Sequence, residues 1–288
     1  MTSSFRLQLV LAFTLFIGSC LSYEFSKTVV VDKSGNGQFT KIQDAIDSVP
    51  EGNSGWFHIV VNKGVYNEKV TIPYKKEYIF LEGSSSAKTL IVGDDHQATD
   101  TSSTFTSFSD NFVAKSISFM NSYNLKQKND VTQAVAAMIH GDKSAFYNCG
   151  FYGYQDTLCA YEGRHYYKNC YIQGAADFIW GHGQSFFKGC KINVTMGHTN
   201  TPGYITAQGR MLEEDTNGFV FSKCSIVGTG QAYLGRAYGP FNRVIFSKTT
   251  MNSVVHPLGW DAWHFGGKEL SSFLFECIYI FLYFGYFI

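Results

Sequence analysis

Phe146-Tyr147-Asn148-Cys149-Gly150-Phe151-Tyr152-Gly153 is echoed by Tyr167-Lys168-Asn169-Cys170-Tyr171-Ile172-Gln173-Gly174. Two more copies follow, Phe187-Lys188-Gly189-Cys190-Lys191-Ile192 and Phe221-Ser222-Lys223-Cys224-Ser225-Ile226-Val227-Gly228. Each unit has an aromatic residue near its start, a cysteine near its middle and an apolar residue two positions later. Residues 112–121 and 244–251 are weaker copies without cysteine. Strand-length units recurring every ~20 residues between turns mark coils that stack on one another. The repeat predicts an all-β chain wound as a single-stranded parallel β-helix; an all-β sandwich with coincidental spacing is the competing architecture. The cysteines then form an inward ladder, acting as small hydrophobes. Coils ~4.8 Å apart also bring them within disulfide reach, and spacing does not decide whether they bridge.

Working outward, residues 28–31 and 58–61 read as strands. Ile42, Ala45, Ile46 and Val49 recur at helical spacing, which predicts a short helix that caps the first coil and covers its open edge. The composition agrees. Aromatics reach 17% of the 288 residues, with 28 Gly and only 5 Pro, a balance that favours short strands and tight turns. Charged residues make up 16% and the net charge is zero. A disordered polyelectrolyte is therefore excluded, and nucleic-acid binding loses its electrostatic footprint.

Residues 1–22 read as a secretory signal peptide: Arg6, an apolar run from Leu9 to Ile17, then Gly18, Ser19, Cys20 and Ser22. The run is too short to span a membrane, which takes ~20 residues. Asn193-Val194-Thr195 is an N-glycosylation sequon, consistent with secretion. Of seven Cys, Cys20 leaves with the signal, and the rest enter an environment that permits disulfides. Residues 23–270 form the expected β-helix domain. Residues 271–288 are an atypical apolar tail, almost all Phe, Tyr, Ile and Leu from Phe273 onward.

The repeat has a chemical consequence. Asp156 and Asp177 each lie seven residues after a repeat cysteine and three after a glycine, in Gly153-Tyr-Gln-Asp and Gly174-Ala-Ala-Asp. On stacked coils the two carboxylates meet at ~5 Å on one outer face, near Tyr154, Phe178 and Trp180. Like charges that close in partly apolar surroundings cannot both ionise cheaply, so one becomes an acid and the other a base or nucleophile. A pair of turn aspartates satisfying backbone N–H groups is the competing assignment. Arg236 is the candidate to hold one Asp ionised through a forked pair. Gln133 and Gln155 offer uncharged donors for an oxyanion. From spacing alone the plainer assignment, a surface Arg and two solvated Gln, is preferred. No Gly-x-Ser-x-Gly elbow, His-Glu-x-x-His motif, close Cys/His cluster or phosphate loop occurs, so neither metal nor cofactor is expected.

At these residues the chain resembles the plant pectin methylesterases (pectinesterases). The motifs run in order: Gly64-Val-Tyr-Asn-Glu68, Gln133-Ala-Val-Ala136, Gly153-Tyr-Gln-Asp-Thr-Leu158, Asp177-Phe-Ile-Trp-Gly181 and Leu234-Gly-Arg236, with Thr206-Ala-Gln-Gly-Arg210 and Gly259-Trp260 beside them. The match runs from about residue 25 to 269. It implies a right-handed parallel β-helix in the form that lacks an N-terminal inhibitor-like pro-region. Asp177 matches the family's nucleophile, Asp156 the general acid and base, Gln133 and Gln155 the oxyanion donors, and Arg236 the residue orienting the nucleophile. By the same resemblance Phe105, Trp180, Tyr238 and Trp263 line the substrate. Expected partners are methyl-esterified homogalacturonan and a proteinaceous pectin methylesterase inhibitor, for a monomer secreted to the cell wall.

Four residues depart from the family pattern: Ala237-Tyr238 stands where the family usually has Pro-Trp, Trp180 replaces a Phe, and Cys159 a Tyr. After His264 and Phe265 the family's further packing segments give way to the apolar tail. The rival readings are a retaining glycosidase using the same carboxylates, a pectate lyase, for which no acidic calcium cluster is evident, and a non-catalytic pectin-binding β-helix.

Overall fold

The aromatic position of each repeat turns inward, and the rings stack coil upon coil. Phe146 lies 4.9 Å from Tyr167, Tyr167 4.5 Å from Phe187, Phe187 4.4 Å from Phe221 and Phe221 4.5 Å from Phe246, with interplanar angles of 7–12°. These contacts come from a computed structural model that describes residues 24–126, 130–196 and 201–266. The expected signal peptide and apolar tail, residues 1–22 and 271–288, lie outside the described residues.

Three parallel sheets, of nine, eight and eight strands, run the length of the molecule. A typical coil contributes Ser144–Tyr147 to the first sheet, Gly150–Tyr152 to the second and Leu158–Ala160 to the third. The next coil repeats this with Arg164–Lys168, Tyr171–Gly174 and Ile179–Gly181. Pairing joins each strand to its counterpart one coil on, as in Phe146 with Tyr167 and Phe151 with Ile172. The chain is a parallel β-helix.

One residue per coil makes the corner between the first and second sheets. Ser116, Asn148, Asn169, Gly189, Lys223 and Lys248 all take positive φ, between 51° and 63°. Asn and Gly tolerate this region best, which accounts for the Asn-Cys and Gly-Cys pairs of the repeat. The cysteine that follows turns into the core: Cys149, Cys170, Cys190 and Cys224 are all buried, with free thiols. Burial of this ring-and-thiol column adds to the strand pairing between coils, and among the described residues these cysteines are unbridged.

The predicted cap is a helix at Ile42–Asp47, with Ile42, Ala45 and Ile46 buried over the first coil. Six residues are too few for a helix to persist unaided, and the next coil holds both ends. Glu68 accepts the backbone N–H groups of Ile42 and Gln43, both at 3.1 Å. Lys76 donates to the carbonyls of Ile46, Asp47 and Val49. Gln43 pairs its side-chain amide with both backbone groups of Thr71, and so stands in for a missing strand at that sheet's edge. The family-like Gly64–Glu68 segment thus serves the cap. Glu68→Ala should lower the unfolding free energy by about 1–3 kcal/mol, the range for a charged hydrogen-bond acceptor, with Glu68→Gln losing less. Denaturant midpoints check this.

Candidate active site

The third sheet carries the site because its register lines up one outward column: Met138, Cys159, Trp180, Ala207 and Arg236. Asp156 and Asp177 precede adjacent strands of this sheet, and Leu158 pairs with Ile179, so the carboxylates hold equivalent places one coil apart. Gln155 bridges Ala176 in the same register. Both aspartates take positive φ, 61° and 47°, which fixes them at a corner. The glycines three positions upstream explain themselves here. A Cβ at Gly153 would collide with the Thr157 hydroxyl, and one at Gly174 with Phe178, so only glycine lets the turn fold back.

Both carboxylates are buried, with Asp156 8% and Asp177 6% exposed. Arg236 grips Asp177 with a fork: Nε donates to Oδ1 at 2.8 Å and a terminal nitrogen donates to Oδ2. Arg236 lies two coils beyond Trp180, and the small Ala207 between them in the column leaves its side chain a path to Asp177. The guanidinium is held between two rings, 4.1 Å from Trp263 and 4.8 Å from Tyr204. Tyr204 donates its hydroxyl to Asp261 Oδ2 at 2.8 Å, and Asp261 Oδ1 accepts the Trp263 N–H at 2.9 Å. The last described coil therefore buttresses the arginine.

The two acids are driven apart. Burial, reinforced by the negative charge of Asp177, pushes the Asp156 carboxyl up to about 7, with the charge of Arg236 pulling the other way. Asp177 is raised as well, because burial outweighs the hydrogen bonds and charge of Arg236 that pull it down. Arg236 makes its hydrogen bonds to Asp177 alone of the two, which favours charge on Asp177 and the proton on Asp156. Such a pair supplies a nucleophile and a proton donor side by side.

Gln133 lies one coil before Asp156, ahead of the strand Ala137–Ile139, and is partly exposed. Its Oε1 accepts the Thr132 hydroxyl at 3.0 Å, which leaves its N–H groups to donate. Gln155, also partly exposed, adjoins Asp156. Trp180 donates its indole N–H to the Asp156 carbonyl at 3.2 Å. Tyr238 and Trp263 stack at 5.9 Å and are 47% and 39% exposed. These three aromatics border the site. Phe105 does not. It is fully buried between Phe112 and Phe119, because strand alternation turns it into the core and gives the outward place to Thr106.

Two of the departures are neighbours in register. Cys159 pairs with Trp180, and Trp180 packs on the cluster of Val135, Met138 and Cys159. A larger ring on one coil covers the smaller side chain on the next. Tyr204 and Asp261 were not singled out by the sequence. Their signal was position alone: Tyr204 is the second residue of the strand Gly203–Gln208, which leads into Thr206–Arg210, and Asp261 follows Gly259-Trp260. Arg210 is a strut, 1% exposed and donating to the carbonyls of Glu213, Asp215 and Phe241.

The family model described as Pectinesterase matches residues 28–278. "Probable pectinesterase 29" of Arabidopsis thaliana is 51% identical over 252 residues, covering 85% of this chain and 75% of that protein. Among solved structures, the pectin methylesterase from carrot superposes with a TM-score of 0.81 at 29% identity, over 86% of this chain and 80% of that one. A pectin methylesterase in complex with hexasaccharide VII superposes with a TM-score of 0.72 at 27% identity, over 81% and 80%.

Proposed function

The chain belongs to the pectinesterase family, and from that premise we propose that it hydrolyses the methyl esters of pectin galacturonate with Asp177 as nucleophile and Asp156 as acid and base. The observation that carries the assignment is the forked Arg236–Asp177 pair beside an aspartate whose carboxyl is pushed up to about 7.

An Asp177 oxygen attacks the ester carbonyl carbon. The amides of Gln133 and Gln155 donate to the oxyanion as it forms. Collapse of the adduct breaks the bond to the methoxy oxygen, Asp156 gives that oxygen its proton, and methanol leaves. The acyl group now sits on Asp177 as an anhydride. Asp156, now a carboxylate, takes a proton from water, and the hydroxyl attacks the acyl carbon. Free galacturonate departs, Asp177 is an anion again and Asp156 is protonated. Arg236 keeps Asp177 oriented, and the two rings around Arg236 keep the guanidinium in place.

The surrounding assignments belong to the same proposal. Residues 1–22 direct secretion to the cell wall, and Asn193 is the glycan acceptor. It lies at an outward position of the strand Lys191–Thr195. The chain works as a monomer on methyl-esterified homogalacturonan, open to a proteinaceous inhibitor. Incubation with highly methylated pectin, scoring methanol and reducing ends together, tests the reading. Methanol without new reducing ends is expected. New reducing ends would mean glycosidase chemistry at the same carboxylates. Binding without either product would mean a non-catalytic β-helix.

A further inference from the structure

A second surface with the makings of a saccharide site lies on the outer face of the nine-stranded sheet, away from the carboxylate pair. Along Arg164–Lys168 the outward side chains are Arg164, Tyr166 and Lys168, and along Gln184–Lys188 they are Gln184, Phe186 and Lys188. Register sets Tyr166 against Phe186 and Lys168 against Lys188. The two rings stack, 6.1 Å apart and 11° from parallel, and Phe186 is 38% exposed. A groove of about 640 Å³ runs over these rings, with Lys143 and Arg243 among its lining residues, and Lys168 and Lys188 stand beyond its rim on the same outer face.

The charge around the rings is one-sided. Arg164 is held by a fork to Asp142. Among the described residues Lys143, Lys168, Lys188 and Arg243 have no carboxylate partner. The acids Glu213, Glu214 and Asp215 gather instead about Arg210. A flat aromatic platform suits the C–H face of a pyranose ring, and lysines two positions along each strand, ~7 Å away, suit carboxylates beside that ring.

Charge selects the occupant. The chain's own residues 271–288 carry a single charge, Glu276, and would leave the cations unmatched. A second copy docked by the same patch would set these cations against themselves. We infer that this groove is a non-catalytic binding site for a carboxylate-bearing polysaccharide, namely de-esterified galacturonan. Naming galacturonan rests on the proposed esterase function; a polyuronate follows from the rings and cations alone.

The test uses the whole secreted chain, with polygalacturonate as the binding probe and a short methyl-esterified oligogalacturonide as the activity probe. Phe186→Ala and the double variant Lys168→Gln/Lys188→Gln change only outward side chains. Each should weaken retention on polygalacturonate about tenfold, as loss of one stacking partner or of surface cations does, while methanol release from the oligomer stays at the wild-type rate. Added salt should weaken the wild type and leave less to lose in the double variant. Unchanged retention in both variants would overturn the site, as would an equal loss of retention and rate. So would binding of a single-stranded oligonucleotide in place of polygalacturonate. A wild-type chain with no affinity would overturn it too, and sedimentation would then tell whether a second copy or the chain's own end covers the groove. If methanol release fails but retention still depends on Phe186 and Lys188, the esterase reading falls and the polyuronate site stands.

Discussion

Asp177→Asn is expected to reduce methanol release from pectin by at least about 10⁴-fold, the scale on which loss of a catalytic nucleophile acts, and to leave the fold in place. The amide has nearly the carboxylate's shape, and Asn accepts the positive φ of 47° at this corner more readily than most residues. Its oxygen can still accept from Arg236, which stays held between Tyr204 and Trp263. What the variant lacks is a nucleophilic oxygen. Substrate retention should therefore survive, and circular dichroism should match the wild type. Turnover within tenfold of wild type would remove Asp177 from the nucleophile's place and direct attention to Asp156 or to water.

The arrangement also explains why the site spans so much of the chain. Asp177 is aimed by Arg236, 59 positions later, and Arg236 is held by residues 204, 261 and 263 from the two coils around it. Asp177 and its buttress meet only because parallel register carries one outward column across coils. A fault in the last described coil would therefore reach the chemistry through Asp261 and Trp263 without touching either carboxylate. Damage at Asp261 should lower the rate with little loss of binding, since the arginine orients Asp177, whereas damage at Trp263, which also borders the site and stacks on Tyr238, should weaken both.

Much of this was legible in the sequence, and the reason is periodicity. An inward ring and a cysteine recurring at 20 or 21 residues fix the coil, and the coil fixes which residues are neighbours. That arithmetic alone places Asp156 and Asp177 side by side. Inward and outward were harder to separate in short strands. Phe105 sits in a three-residue strand with all its positions buried, where alternation leaves almost no trace, so an aromatic of the right type was assigned to the wrong face. Tyr204 and Asp261 were missed for a different reason. Their value lies in a contact with Arg236 across coils, and neither stands in a motif whose chemistry would announce it. Compensation between Cys159 and Trp180 likewise became visible only through register.

Asp156→Asn should give the opposite pairing of effects, a loss of activity with a gain in stability that depends on pH. In the folded chain the Asp156 carboxyl is pushed from 3.8 up to about 7 by burial and by Asp177. Below about pH 4 it is protonated in both folded and unfolded chains and contributes no difference. As pH rises toward 7 the unfolded chain ionises first, so it binds fewer protons than the folded chain and is favoured. With each pKa unit worth 1.36 kcal/mol, the shift from 3.8 to about 7 withdraws about 4 kcal/mol of stability from the wild type. Asn cannot ionise and accepts the φ of 61°, so the variant escapes that loss. Its melting temperature should match the wild type near pH 4 and exceed it at pH 8 by on the order of 10 °C, given 2–4 °C per kcal/mol for a domain of this size. Catalysis should fall by about 10³-fold, as when a general acid is removed, and the wild-type rate should decline as pH rises through about 7 and Asp156 gives up its proton. A variant that melts with the wild type at pH 8 would put the Asp156 pKa near its ordinary value. The carboxyl would then be ionised at neutral pH, and the proton for departing methanol would have to come from elsewhere.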